Sequence, residues 1–202
     1  YNLVQQKDSV SQNILSIGNT FSYEDKYYKF EQSSQNDFFG NAFINNGLKD
    51  KLSLQDMYID VNAKYINNTL GVLKFKAAYN KYNYGYNKVV TLNGNDITNR
   101  LKGNVISVGG EYQNRIGEFN VEGKFGLNIA GDFDGNYLSG NATYNINDDI
   151  EISAGININS RAPNYNYLLY QSDYVNYNWF NDFSNIETKQ LSFKLISDKL
   201  IN

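Results

Sequence analysis

Apolar and polar residues alternate with a period of two along nearly the whole chain. That pattern suits β-strands whose two faces meet different surroundings. The run 117–129 is the clearest: Phe119, Val121, Phe125, Leu127 and Ile129 fall on one face, and Asn120, Glu122, Lys124 and Asn128 on the other. From Ile150 the pattern returns, with Ile152, Ala154, Ile156 and Ile158 opposed to Glu151, Ser153, Asn157 and Asn159. Between these runs, Leu138, Ala142, Tyr144 and Ile146 oppose Tyr137, Ser139, Asn141, Thr143 and Asn145. Upstream, Leu73, Phe75, Ala77 and Tyr79 share a face, as do Met57, Ile59, Val61, Ala63 and Tyr65, and Leu15, Ile17, Phe21 and Tyr23. Ile106, Val108 and Tyr112 continue the series, and Leu191, Phe193 and Leu195 close it. The pattern predicts an all-β chain of about eight strands, most of them roughly 10–14 residues long.

Composition agrees and narrows the chemistry. The 202 residues include 18 Tyr and 12 Phe, which favour strands, and 33 Asn, which favour turns. There is no Cys and no His, which removes Cys nucleophiles, Ser-His-Asp triads, Cys/His zinc sites and haem held by His. Acid pairs such as Asp148-Asp149, or Asp173 and Asp182, have no fixed separation that would suit a glycosidase. The reading is therefore non-enzymatic, with no metal or other cofactor implied. With 18 basic against 21 acidic residues and a net charge of -3, no basic surplus is available for nucleic acid. No run approaches the ~20 apolar residues of a spanning helix.

The connections are uneven in a regular way. Long ones are predicted at 32–51, 86–103 and 160–185. Short ones centre on Asn67-Asn68, on 114–117 and on Asn147-Asp148, and the intermediate 131–136 falls on the long side by position. In an up-and-down antiparallel meander, alternate connections lie at opposite ends, so one end carries tight turns and the other large loops. Outer-membrane barrels are built this way, with strands long enough (~9–11 residues) to cross lipid. Phe21, Tyr23, Tyr27, Tyr28, Phe30, Tyr79, Tyr82, Tyr84 and Tyr86 gather where strands enter the long loops and read as an interfacial girdle.

Two segments resemble a known family. Ile17-Gly18-Asn19-Thr20-Phe21-Ser22-Tyr23-Glu24, followed by Asp25 to Phe30, is similar to the "GHTFSYE…Y.F" strand of the putative porins of Bacteroidetes, with Asn19 where the family usually has His. Pro163-Asn164-Tyr165, Tyr170 and Ser172-Asp173 resemble that family's "P-x-[FY]-x-x-x-x-[YH]-x-S-[ND]" motif. Tyr177, Trp179, Asn181 and Phe183 are similar to its "[FY]-x-W-x-N-x-F" continuation. The two blocks cover about a fifth of the chain. The resemblance implies an outer-membrane β-barrel with pore activity, and it brings no catalytic residues. Family members are several-fold longer, and Asp198-Lys199-Leu200-Ile201-Asn202 lacks the terminal aromatic of many barrels, so residues 1–202 are expected to form one β-barrel domain that is part of a longer barrel.

On that reading the polar faces point to a water-filled lumen, and the candidates to line it are Asp56, Asp60, Lys64, Lys74, Lys76, Glu111, Glu122, Lys124 and Glu151. The simpler alternative is a solvated face whose charges, such as Asp60 and Lys76, screen one another. Tyr165, Tyr167, Tyr170, Tyr174, Tyr177 and Trp179 concentrate in one connection. A self-packed cap or interfacial anchor is the plainer expectation for them, and a loop that folds inward to constrict a lumen or hold a ligand is the sharper one. Gly131-Asp132-Phe133-Asp134-Gly135-Asn136 has some oxygen donors of a calcium loop but reads better as a hairpin turn.

The function expected is passive diffusion of small polar solutes across the bacterial outer membrane, with membrane lipid as the other partner and the oligomeric state left open. Eight strands alone would close on a lumen filled by side chains, so a pore requires more wall. The alternatives are a soluble surface protein holding glycans through its aromatic loops, a fragment of a gated receptor, and a closed structural barrel.

Overall fold

The computed structural model describes residues 13–92 and 94–197. The C-terminal segment whose missing aromatic was noted above lies outside them. In chain order the elements are β1 (Ile14–Ser34), a 3-10 turn (Asp37–Phe39), β2 (Asn46–Asn67), β3 (Gly71–Tyr86), β4 (Val90–Leu92), β5 (Asn95–Ile97), β6 (Arg100–Ile116), β7 (Phe119–Gly131), β8 (Asn136–Asn147), β9 (Ile150–Arg161), α1 (Tyr165–Leu168), β10 (Leu169–Tyr170), β11 (Trp179–Phe180) and β12 (Ile186–Ser197). Eight of the strands form one antiparallel sheet in the order β1-β2-β3-β6-β7-β8-β9-β12. Every neighbour in that sheet is also the next long strand in sequence, so the sheet is a simple meander. Among the described residues, β1 and β12 are its two edges. β4 with β5, and β10 with β11, are two-stranded ribbons within the loops.

The strand count agrees with the sequence pattern, but the lengths do not. β7, β8, β9 and β12 have 12 or 13 residues, whereas β1, β2, β3 and β6 run to 21, 22, 16 and 17. The first loop therefore shrinks to 35–45 and the second to 87–99, each several residues shorter than predicted. The extra strand residues are Gln32 to Ser34, Asn46 to Lys51, Tyr86 and Arg100 to Gly103, most of them polar or glycine and so able to pass for loop.

The tight turns use their Asn and Gly residues as backbone fittings. Asn67 Oδ1 accepts from the Thr69 and Leu70 N–H groups, both at 2.8 Å, and Gly71 follows with φ at 79°. A Cβ at Gly71 would lie 2.2 Å from the Gln113 carbonyl, so both conformation and space require glycine there. At the other end, Asp132 Oδ2 accepts from Asn104 N–H at 2.6 Å and fastens the β7–β8 loop, which is a hairpin connection.

Register decides which side chains share a face, because antiparallel partners point the same way. Following it across the sheet joins the apolar residues of all eight strands into one band. Ile17, Ala63, Phe75, Gly110, Phe125, Leu138 and Ile158 lie in one continuous cross-strand row, and Val61, Ala77, Val108 and Leu127 in the next. Leu191, Phe193 and Leu195 extend the band over β12 opposite Ile156, Ala154 and Ile152. Among the described residues nothing covers it: Ile17 is 77% exposed, Phe75 58% and Phe193 82%. Toward the loop end the same face turns polar, through Asp25, Gln55, Lys81 and Asn104.

The buried core lies on the opposite face, at the loop end. Tyr84, Tyr86 and Leu169 form its centre, with Leu52, Leu54, Ile97, Leu101, Tyr165 and Tyr170 packed against them. This corrects the girdle expectation. Tyr23 and Tyr79 stand on the exposed apolar face near its upper margin, whereas Tyr82, Tyr84 and Tyr86 point to the other side and are buried there. A run of tyrosines at alternate positions looks the same in sequence whether lipid or a folded loop covers it.

Candidate functional site

The nine charged candidates all fall on one face, the one opposite the apolar band. Lys64, Lys74, Glu111 and Lys124 form a single cross-strand row over β2, β3, β6 and β7. Only one close pair occurs in it, Lys74 with Glu111 at 3.5 Å. Asp56 and Asp60 sit on β2, nearer the loop end, and Lys76 stands opposite Asn62. Asp60 does not meet Lys76 directly. It takes a hydrogen bond from Asn62 Nδ2 at 3.0 Å, and Asn80 Nδ2 donates to Asp56 at 2.8 Å. Glu122 lies opposite Gln113, and Glu151 lies toward the tight-turn end, opposite Asn145. Asn, Ser and Thr fill many of the intervening positions, with Tyr58, Ala78, Gly109, Gly126 and Tyr137 among them, so the face is mainly polar.

The long connection 162–185 folds over the loop end of this polar face. Its anchor is the tetrapeptide Gln171-Ser172-Asp173-Tyr174, which is 2%, 8%, 7% and 3% exposed. Each member has a partner far away in sequence. Gln171 Nε2 donates to the Ile97 and Thr98 carbonyls at 3.3 and 3.1 Å. Ser172 Oγ donates to Asp50 Oδ2 at 2.6 Å, and the Asp173 N–H donates to Asp50 Oδ1 at 2.8 Å. The Asp173 carboxylate accepts from the Lys49 N–H at 2.6 Å and pairs with the Lys88 ammonium. The Tyr174 hydroxyl donates to Gln32 Oε1 at 2.7 Å and accepts from the Asn36 N–H at 2.9 Å. Burial raises the Asp50 carboxyl above the usual carboxylate range, against the lowering effect of its Ser172 and Asp173 hydrogen bonds.

The aromatic candidates belong to the same packing. Tyr165 stacks on Tyr82 and Tyr84, at 5.2 and 5.1 Å between ring centres. Burial pushes its phenol well above the ordinary tyrosine range. Tyr170 stacks on Trp179 at 4.7 Å and meets Tyr86 edge-on at 5.8 Å. Tyr174 and Tyr177 both meet Phe39. Trp179 Nε1 donates to the Asn166 carbonyl at 3.0 Å. Tyr167 stands apart and is exposed. Most of these ring faces are already occupied by other rings of the protein, which favours a packed wedge over a set of free stacking surfaces.

The motif residues stand out in the sequence, whereas Asp50 and Lys88, the groups that hold Ser172 and Asp173, do not. Asp50 shares its face with Leu48, Leu52 and Leu54, and extending the β2 alternation six residues upstream from Asp56 places it on the polar face.

A polar face of this extent, an uncovered apolar face behind it and a motif-bearing loop folded over one end now stand together. A family model described as a putative porin matches residues 1–202. The chain belongs to the putative porin family. No curated protein and no solved structure matches it. Within this porin-family chain, the Ser172-Asp173 motif pair is a structural latch: it fixes the loop to β2 and to the segment following β3.

Proposed function

We propose that this chain forms part of the wall of an outer-membrane β-barrel through which small polar solutes pass by passive diffusion, and that the 162–185 connection narrows the passage. The observation that carries the reading is the pair of unlike faces, continuous over eight strands in register. A soluble monomer rarely exposes an apolar patch beyond a few hundred Å2, and this band spans the sheet. On β2 it runs from Met57 to Tyr65. At ~3.3 Å per residue those nine residues cover about 30 Å along the strand, or about 23 Å in projection at a tilt of ~40°, close to the lipid-facing band of such barrels. The polar strand ends beyond it then stand clear of lipid. The charged face supplies the hydrated wall, and transport requires no catalytic group.

Single-channel recording of the full-length protein in a planar bilayer tests this. Discrete, stable current steps are expected. Silence from protein shown to have inserted would overturn the diffusion reading and leave a closed or structural barrel. Deleting 164–183 should raise the step size, because the loop occupies space on the conducting face.

A further inference from the structure

A second site lies on the polar face, away from the latch. A cleft of about 450 Å3 opens beside the β7–β8 loop, within the size range of small-molecule sites (~300–1,000 Å3). Gly126 on β7 lines it, and Gly109 on β6 lies beside Gly126 in the cross-strand row Lys76–Gly109–Gly126–Tyr137–Asn159. Having no side chains, they let their neighbours lie down. The Tyr137 ring leans across Gly126, where an added Cβ would come within 2.1 Å of its Cε1 atom. The Lys76 stem runs over Gly109, with Cε 3.3 Å from the corresponding Cβ position. Tyr137 keeps 36% of its surface, and no other ring packs on it among the described residues.

Polar groups surround this ring: Asn157, Asn159 and Ser139 line the cleft, with the charged Lys76, Arg161 and Asp134. A primary amide both donates and accepts, as a sugar hydroxyl does, so paired asparagines suit neighbouring hydroxyls. Among the described residues, the Asn157 and Asn159 amides have no protein hydrogen-bond partner, and Lys76 has no ion-pair partner. An apolar platform ringed by uncommitted amides, a hydroxyl and cations differs from the loop cluster, whose rings and polar groups are spent on one another.

We propose that this cleft is a saccharide subsite, with a pyranose ring stacked on Tyr137 and its hydroxyls bound by Asn157, Asn159 and Ser139. It rests on the porin reading for its place, because solute reaches it only if the polar face is a water-filled wall. It goes beyond that reading by naming the solute class.

The test is calorimetric titration of the full-length protein in detergent with glucose, maltotriose, cellotriose and glucuronate, followed by bilayer recording with the same sugars. At least one sugar should bind. Tyr137→Ala should weaken that binding about tenfold, the loss expected for one aromatic contact worth ~1.4 kcal/mol. Tyr137→Phe should keep it, and Gly126→Ala should lose it by displacing the ring. Asn157→Ala, a half-buried amide without a partner, gives a second variant where Tyr137→Ala fails to fold, and it too should weaken binding. No binding by any of the four sugars, or undiminished binding in the variants, overturns the subsite. Stable conductance that no sugar alters, together with no heat of binding, rejects the subsite and leaves the porin reading standing. Sugar binding by a protein that never conducts rejects the porin reading and leaves the subsite.

Discussion

Asp173 divides its carboxylate between two partners, the Lys88 ammonium and the Lys49 N–H, in a buried position. Removing it strands a backbone donor and a lysine, and an unsatisfied buried group costs more than a formed hydrogen bond gains. Asp173→Ala should therefore loosen the 162–185 connection by about 1–3 kcal/mol. Hydrogen exchange in the reconstituted protein reads this directly. Amides of residues 169–175 should lose protection while those of β7 and β8 keep theirs, and unchanged protection at 169–175 would show that ring stacking alone holds the loop. At this scale the sequence was legible on one side of each contact only. Ser172 and Asp173 stand in a recognisable motif. Asp50 and Lys88 lie 122 and 85 residues from their partners. A pairing across such a separation leaves no local pattern, because only the sheet brings the two ends together.

The elements tell a similar story with a different cause. Strand faces were readable because a period of two is fixed by backbone geometry, and register joined those faces across the sheet, with one-residue shifts only near strand ends, at Ile106/Ser107 and Asn145/Asn147. Strand lengths were not readable, because beyond the apolar band both faces of β1 and β2 carry polar residues that mimic a loop. The destination of the aromatic connection was also hidden, since a ring buried by a folded loop and a ring at a lipid interface have the same composition around them. The folded position has a consequence for pH. Burial raises the Tyr165 phenol, so the docked ring stays neutral where a free tyrosine would ionise. Docking is thus fully favoured below the unfolded pKa near 10 and weakens as pH rises above it. Trp179, the one Trp of the 202 residues, is stacked on Tyr170 in the same loop and reports the release as a fluorescence change. Alkaline titration should show release above about pH 10, and Tyr165→Phe, which removes the ionisable group but keeps the stacked ring, should shift it upward. An unshifted midpoint in that variant would assign the release to other groups.

For the whole molecule, the two faces of the sheet make opposite demands on a charge, and two adjacent β2 residues separate them. Val61 lies in the exposed apolar band, 55% exposed, in a row with Ala77, Val108 and Leu127. Asn62 is the next residue and points to the polar face, opposite Lys76. If the band meets lipid, an arginine at Val61 has to leave water for hydrocarbon, at a cost of ~2–4 kcal/mol near the bilayer midplane. An arginine at Asn62 stays hydrated, and its main penalty is repulsion from Lys76, partly offset by Asp60. In a soluble sheet the ranking reverses, because Val61→Arg would then replace an exposed apolar group with a solvated one. Equilibrium unfolding of the full-length protein from lipid vesicles distinguishes the cases. Val61→Arg is expected to lose ~2–4 kcal/mol and Asn62→Arg less than about 1 kcal/mol. Equal stability of Val61→Arg and the parent chain would remove lipid from that face. The unlike faces would then need another cover, such as a second sheet or a partner protein, and the diffusion reading would lose the observation that carries it.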